Sequence, residues 1–489
     1  MIAPQGSPPV RLSALETSFL LGEEVISGYL GHVASAFVLD GPAPGLAALA
    51  QYVESRIAGV PRLRRRVVAV PGGVARPVWV QEGDFDVRNH VRAATLAAPG
   101  GDAELRASLG ELLARPIDRE HPLWELWLVD GLRDGRWALL SKVHHAIADG
   151  AELVAILRAL LDPEFGDGDG DGGGDGGGDG DGGGGGGGPA PAPTRAGTPA
   201  LVADALRDGA RVARTGARRA GRALRDPGGA LARSRDAARG IAEMSAASKR
   251  PVLASPLTGQ SGGGRALAWL ALERDAMKRA AADRDATVND LYLAIVTGGL
   301  RRWLLRHGVA TGEAPLMAMV PVAVRDRRGD DTTELGMLNV ALPVDEPDGG
   351  RRLQATAATM AAAKDSSQGA AIAAVLGMQN LLPVALLRAA GPQLWTARGL
   401  NVTITSLPGS MGSLAVGGRR ATAAWQIGFL TPGLTLTFAS MSYLGGFTIS
   451  LIADPDAIGD LDALARDCAD EAAELGLDAS TSIAEASLA

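Results

Sequence analysis

Residues 166–188 are glycine and aspartate without exception, and no packed structure can be built from such a run. Glycine loses more backbone entropy on ordering than any other residue, and neither type offers apolar surface to offset the loss. The run reads as a disordered linker, so whatever cores this 489-residue chain builds lie on either side of it. A chain of this length suits two core-bearing lobes. Three zones follow: 1–162 with mixed sequence, 163–255 biased throughout, and 256–489 mixed again.

Charge is segregated in the same way. The formal net charge is −7, but six aspartates in the 166–188 run account for most of it. Residues 201–250 carry eleven Arg and one Lys against four Asp and one Glu, with a break at Pro227-Gly228-Gly229. This segment is helical by propensity. It reads equally as a solvated connector or as a basic amphipathic element resting on an anionic lipid surface. Such a distribution does not indicate a nucleic-acid binder. One cysteine, Cys468, excludes an internal disulfide and suggests a reducing compartment. Met1–Arg11 lacks the basic and apolar stretches of a signal peptide, so a cytoplasmic location is expected.

Residues 421–453 contain no charge, which admits a membrane span. Leu434–Phe438 and Phe447–Leu451 alternate with a period of two, however, and Gly445-Gly446 separates them. A hairpin of two strands is the better reading. In the first zone, strands are expected at Ala36–Leu39, Pro77–Val80, Trp124–Val129 and Arg136–Val143, with Asp134-Gly135 turning between the last two. Leu153, Ile156, Leu157 and Leu160 then form one face of a helix. The last zone reads as a strand near Ala266–Leu272 and a helix at Ala276–Asp283. Thr287 then caps a helix to about Arg306. Strands are expected at 316–324, 340–343 and 402–405. The fold class is mixed α/β, with antiparallel pairing from the hairpins.

Chemistry concentrates at His144-His145-Ala146-Ile147-Ala148-Asp149-Gly150, where a strand ends and a helix begins. A neutral imidazole can take a proton from a hydroxyl or thiol and return it, provided its tautomer and orientation are held. His145 is the candidate general base. Asp149 and Gly150 read as the scaffold of the turn, with Gly150 permitting close backbone approach or positive φ. The bland alternative is a satisfied pair of histidines at a strand end, with Asp149 capping the next helix. No further ligands cluster as a metal site would require, and neither a GxSxG elbow nor a Lys-Ser/Thr phosphate loop is present. Cys468 lies in an Ala/Asp/Glu-rich helix and reads as buried, not as a nucleophile.

These seven residues resemble the HHxxxDG motif of the bacterial wax ester synthase/diacylglycerol acyltransferase family. Pro122-Leu123-Trp124-Glu125 is similar to its PLWE segment and Thr287-Val288-Asn289-Asp290 to its TVND. Met319–Arg325 and Ser442-Tyr443 with Gly445 add to the resemblance, which spans nearly the whole chain outside the linker. It implies two lobes like those of chloramphenicol acetyltransferase, with the active site in a tunnel between them. It implies acyl-CoA as a substrate, with no bound cofactor, and diacylglycerol or a long-chain alcohol as acceptor. His145 would be the base and His144 would shape the site. Asp149 would be structural, paired to an Arg such as Arg325. Two departures stand out: Ser406 replaces the Asn of the family's SNVPGP segment, and its Gly-Asn pair is opened to Gly336-Met337-Leu338-Asn339. Packing and capping explain Pro122–Glu125 and Asn289-Asp290 at least as well as catalysis does.

Three functions are therefore in view. The first is a lipid O-acyltransferase making triacylglycerol, with wax esters as a second product. Another is an acyltransferase for a different hydroxyl acceptor. A non-catalytic lipid-surface protein of the same fold, docking through 201–250, is the third, and the intact histidine motif argues against it.

Overall fold

The apolar run expected as a buried strand forms at Trp137–His144, with all eight residues buried. It pairs antiparallel with His32–Leu39 on one side, placing His32 opposite His144, and with Trp124–Asp130 on the other. The structure, a computed structural model, describes residues 10–73, 75–163, 251–325, 333–366, 384–410 and 412–482, with Arg214, Gly221, Arg225, Gly228 and Arg235 between them. The 166–188 linker and, those five residues apart, the Arg-rich 201–250 segment lie outside the described residues.

Among the described residues, two seven-stranded sheets carry the molecule. The first runs, in spatial order, Val91–Thr95, Trp124–Asp130, Trp137–His144, His32–Leu39, Arg419–Ile427, Leu414–Val416 and Asp162–Pro163. The second runs Thr333–Leu342, Leu316–Arg325, Val402–Ser410, Leu436–Tyr443, Gly446–Ala453, Ala266–Glu273 and Ala479–Ser480. A small sheet of Val10–Arg11, Val78–Gln81 and Arg65–Val68 flanks the first.

One boundary drawn along the sequence needs correction. Residues 414–427 fall in the 256–489 zone, yet they complete the first sheet. The reason is hydrogen bonding: His32–Leu39 is buried along its whole length and has a second edge to satisfy. Arg419–Ile427 supplies that ladder, with Ala424 opposite Phe37 and Ile427 opposite Ala34. The chain crosses from one lobe to the other and returns.

The uncharged stretch then forms its hairpin. Leu436 pairs with Ala453, and the ladder closes at Tyr443 and Gly446. The two turn residues are Leu444 (φ 47°) and Gly445 (φ 80°), both left-handed as a tight two-residue connection requires. Gly446 is thus the first residue of the returning strand and no part of the turn. No helix among the described residues is long and apolar enough to cross a membrane. The strand expected at 340–343 starts earlier, at Thr333, and pairs with Leu316–Arg325 over its full length. Gly336 and Asn339 in the middle of that strand hide its apolar alternation.

The lobes share a core. Trp269 of the second sheet stacks on Trp425 of the first at 4.6 Å between ring centres. Ala34, Val38, Leu105, Leu109, Leu267 and Ile452 pack around them. Thr448 donates to the carbonyl of Ala424 at 2.9 Å, tying the hairpin to the crossing strand. On the outer face of the second sheet, helix Val288–Arg306 lies against helix Leu461–Glu474, with Cys468 buried between them. A Cβ on Gly299 would stand 2.3 Å from the Cys468 Sγ, so only glycine allows this approach.

Candidate active site

Strand Trp137–His144 delivers the histidine pair, and three hydrogen bonds form the turn after it. The His145 amide donates to the Gly31 carbonyl at 2.8 Å, and the Ile147 amide to the His144 carbonyl at 2.8 Å. The Ala146 amide donates to Nδ1 of His144 at 3.0 Å. Helix Gly150–Leu160 starts immediately, burying Leu153, Ile156, Leu157 and Leu160. Asp149 is its cap: the carboxylate accepts from the Glu152 amide at 2.9 Å, and Glu152 accepts from the Asp149 amide at 3.1 Å. Reciprocal capping of this kind is worth about 1 kcal/mol and fixes where the turn ends. The side chain of Arg325 lies outside the described residues.

Gly150 does not do what its identity suggests. Its φ is not positive, and a Cβ there would meet nothing within 4 Å. As the first helical residue it has ordinary backbone geometry, and the space above it is open.

His145 is half-buried where the two lobes meet. One face of its ring stacks on Phe19, 4.5 Å away and 5° from parallel, and Phe429 meets it edge-on at 5.6 Å. Phe19 belongs to helix Ala14–Val25, and Phe429 follows strand Arg419–Ile427. Three segments far apart in sequence thus enclose one imidazole. Desolvation by this collar pushes the His145 pKa below its ordinary value. His144 acts in the same direction, while the carbonyls of His145 itself and Ala148 oppose it. A ring held neutral at pH 7 can accept a proton.

His144 is buried, and its ring faces Glu23 on helix Ala14–Val25. Its Nδ1 is an acceptor, so the proton sits on Nε2, 3.3 Å from a carboxylate oxygen of Glu23. The sequence offered no sign of Glu23, Phe19 or Phe429, because none lies in a recognisable motif.

The remaining motif residues have structural partners. Glu125 accepts from the Trp127 indole at 2.9 Å and faces the buried Lys142 at 3.5 Å. Lys142 in turn donates to the carbonyls of Leu112, at 3.0 Å, and Arg115, closing the end of helix Asp102–Leu113. Asp290 and Thr287 cap each other reciprocally at the start of helix Val288–Arg306. Ser406 is exposed on strand Val402–Ser410, where the ladder to Leu436–Tyr443 shifts register.

Two family models cover most of the chain. The wax ester synthase/diacylglycerol acyltransferase catalytic domain matches residues 12–292, and the C-terminal domain of the same family matches 333–476. The chain belongs to the wax ester synthase/diacylglycerol acyltransferase family. A Mycobacterium tuberculosis relative named probable diacylglycerol O-acyltransferase tgs1 is 27% identical over 469 residues, 95% of each chain. A second, tgs3, is 40% identical over 154 residues, 31% of this chain and 56% of that protein.

Among solved structures, the wax ester synthase/diacylglycerol acyltransferase of Marinobacter aquaeolei VT8 superposes with a TM-score of 0.60 at 21% identity. The alignment covers 96% of this chain and all of that one. The first condensation domain of the calcium-dependent antibiotic synthetase follows, at 0.55 and 18% identity, covering 95% and 96%. A variant starter condensation domain of rhizomide synthetase, solved with C8-CoA, scores 0.55 at 15%, covering 97% and 96%. Such likenesses establish the two-lobed fold. The chain is an acyltransferase of this family, with HHxxxDG at the junction of its lobes.

Proposed function

We propose that this family member moves a long-chain acyl group from acyl-CoA to the free hydroxyl of diacylglycerol, and also accepts fatty alcohols. The observation that carries the reading is His145, neutral and held in an aromatic collar at the lobe junction. An apolar surround suits lipid chains and keeps water from competing for the thioester. The names of the mycobacterial relatives point to the same acceptor.

In the reaction, His145 takes the proton of the acceptor hydroxyl as its oxygen attacks the thioester carbonyl. The tetrahedral intermediate collapses, the C–S bond breaks, and protonated His145 returns the proton to the departing CoA thiolate. No acyl-enzyme forms and no bound cofactor takes part. Asp149 caps the helix behind the turn, and His144 shapes the site without moving protons. The two substrates reach His145 through a tunnel between the lobes, and the 201–250 segment rests on the cytoplasmic membrane face or a lipid inclusion.

Purified protein given palmitoyl-CoA with diolein or hexadecanol should release free CoA with either acceptor. No thiol release with any hydroxyl acceptor would overturn the proposal. His145→Ala should abolish release while the protein still unfolds cooperatively. Deleting 201–250 should lower binding to anionic liposomes.

A further inference from the structure

Glu23 is a buried carboxylate that the reaction as written does not use, with its side chain 8% exposed. Leaving such a charge unpaired is strongly unfavourable, and here both of its oxygens are engaged. Oε2 accepts from Arg119 at 2.7 Å. Oε1 accepts from the Gly31 amide at 2.6 Å and stands 3.3 Å from Nε2 of His144. Arg119 is itself anchored to helix Ala14–Val25, donating to the Leu20 carbonyl at 2.9 Å and to Glu24 at 3.1 Å.

Both ends of Gly31 are occupied. Its amide is held by Glu23, and its carbonyl receives the His145 amide at 2.8 Å. A Cβ on this residue would come within 3.2 Å of the Tyr29 hydroxyl and 3.4 Å of His144 Nε2, so the close approach suits glycine. One carboxylate thus reaches the histidine pair by two routes, through the ring of His144 and through the backbone of Gly31.

We propose that Glu23 is a positioning residue for the base, holding His144 as its Nε2–H tautomer and tying Gly31 to the His145 amide. The first route matters because Nδ1 of His144 accepts the Ala146 amide only when it is unprotonated. Were the proton on Nδ1, that hydrogen bond would be lost and the turn carrying His145 would have to rearrange. A carboxylate facing Nε2 favours a proton on that nitrogen, which is the required tautomer. Burial alone would raise the pKa of Glu23, yet its neighbours His144, Arg119 and the Gly31 amide bring it down to about 2, so the group stays a carboxylate at neutral pH.

This inference rests on His145 being the base, and its test separates the two. Full-length protein with 15N-labelled histidine reports each ring's tautomer by NMR, and palmitoyl-CoA with diolein reports turnover. In the wild type, His144 is expected as Nε2–H alone. In Glu23→Gln, which keeps the size and an acceptor for Gly31 but removes the charge, His144 should become a mixture of tautomers. Its kcat should fall about tenfold or more, as misplacement of a catalytic group does, with KM for palmitoyl-CoA within about twofold. Glu23→Asp should restore the single tautomer and part of the rate.

A wild-type His144 protonated on Nδ1 would overturn the proposal with no variant needed. So would a Glu23→Gln protein with an unchanged tautomer and wild-type kcat. His145→Ala should stop thiol release and leave the His144 tautomer as it was. Wild-type turnover in His145→Ala would remove the base assignment, while the tautomer measurement still decides the role of Glu23.

Discussion

At His145 the environment, more than the residue type, sets the chemistry. An exposed imidazole titrates near 6.5, whereas this ring, against Phe19 and Phe429, titrates lower. As the proposed base, His145 must be neutral to act, so activity is lost only when pH falls through the lowered pKa. The acid limb of kcat/KM against pH should therefore have its midpoint below 6.5, and a midpoint at or above that value would contradict the collar argument. Phe19→Ala lets water reach the stacked face and weakens the desolvation. It should move the acid limb upward and cost about 2 kcal/mol in denaturant unfolding, since the half-buried ring touches both His145 and Phe429. The family resemblance implied a histidine lining a tunnel between the lobes. The stacking shows a ring that is packed, so His145→Ala removes contacts as well as the proposed base.

Elements meet where side chains allow them to. Helix Val288–Arg306 approaches helix Leu461–Glu474 through Gly298 and Gly299, and a Cβ on Gly299 would lie 2.9 Å from backbone atoms of Cys468. Backbone cannot step aside as a flexible side chain can. Gly299→Ala should destabilise the protein by about 1–3 kcal/mol, measured as a lower denaturant midpoint at unchanged slope. Gly150→Ala is the contrasting case, since a Cβ there has open space. Its unfolding midpoint should stay within about 0.5 kcal/mol of wild type. A loss of turnover without a loss of stability would assign that space to substrate.

For the whole molecule, the decisive feature is the crossing of residues 414–427 into the first sheet. A fragment ending at residue 255 would leave the fully buried strand His32–Leu39 with a bare apolar edge. Exposed edges of that kind pair with other chains. The 1–255 fragment should aggregate when produced alone, visible by size exclusion and light scattering, and co-production with 256–489 should restore a soluble complex. A monodisperse 1–255 fragment would show that the crossing strand is dispensable to the first lobe.

Much of this protein was legible in its sequence because the governing interactions are local. Period-two and period-3.6 patterns located the central strands and the 150–160 helix. Capping chemistry marked Asp149 and Thr287, and the turn residues marked the hairpin near Gly445. The spacing of HHxxxDG singled out the histidine pair, since strand, turn and helix are adjacent there. Other features depend on contacts between residues hundreds of positions apart, and no window of sequence contains those. Phe19 and Gly31 reach His145 only when the first lobe has folded, Phe429 only when the later chain has crossed back to it, and Glu23 reaches His144 in the same way as Phe19. Local pattern marked the histidine pair; tertiary packing decided the lowered pKa of His145, the setting of both rings and which carboxylate faces His144.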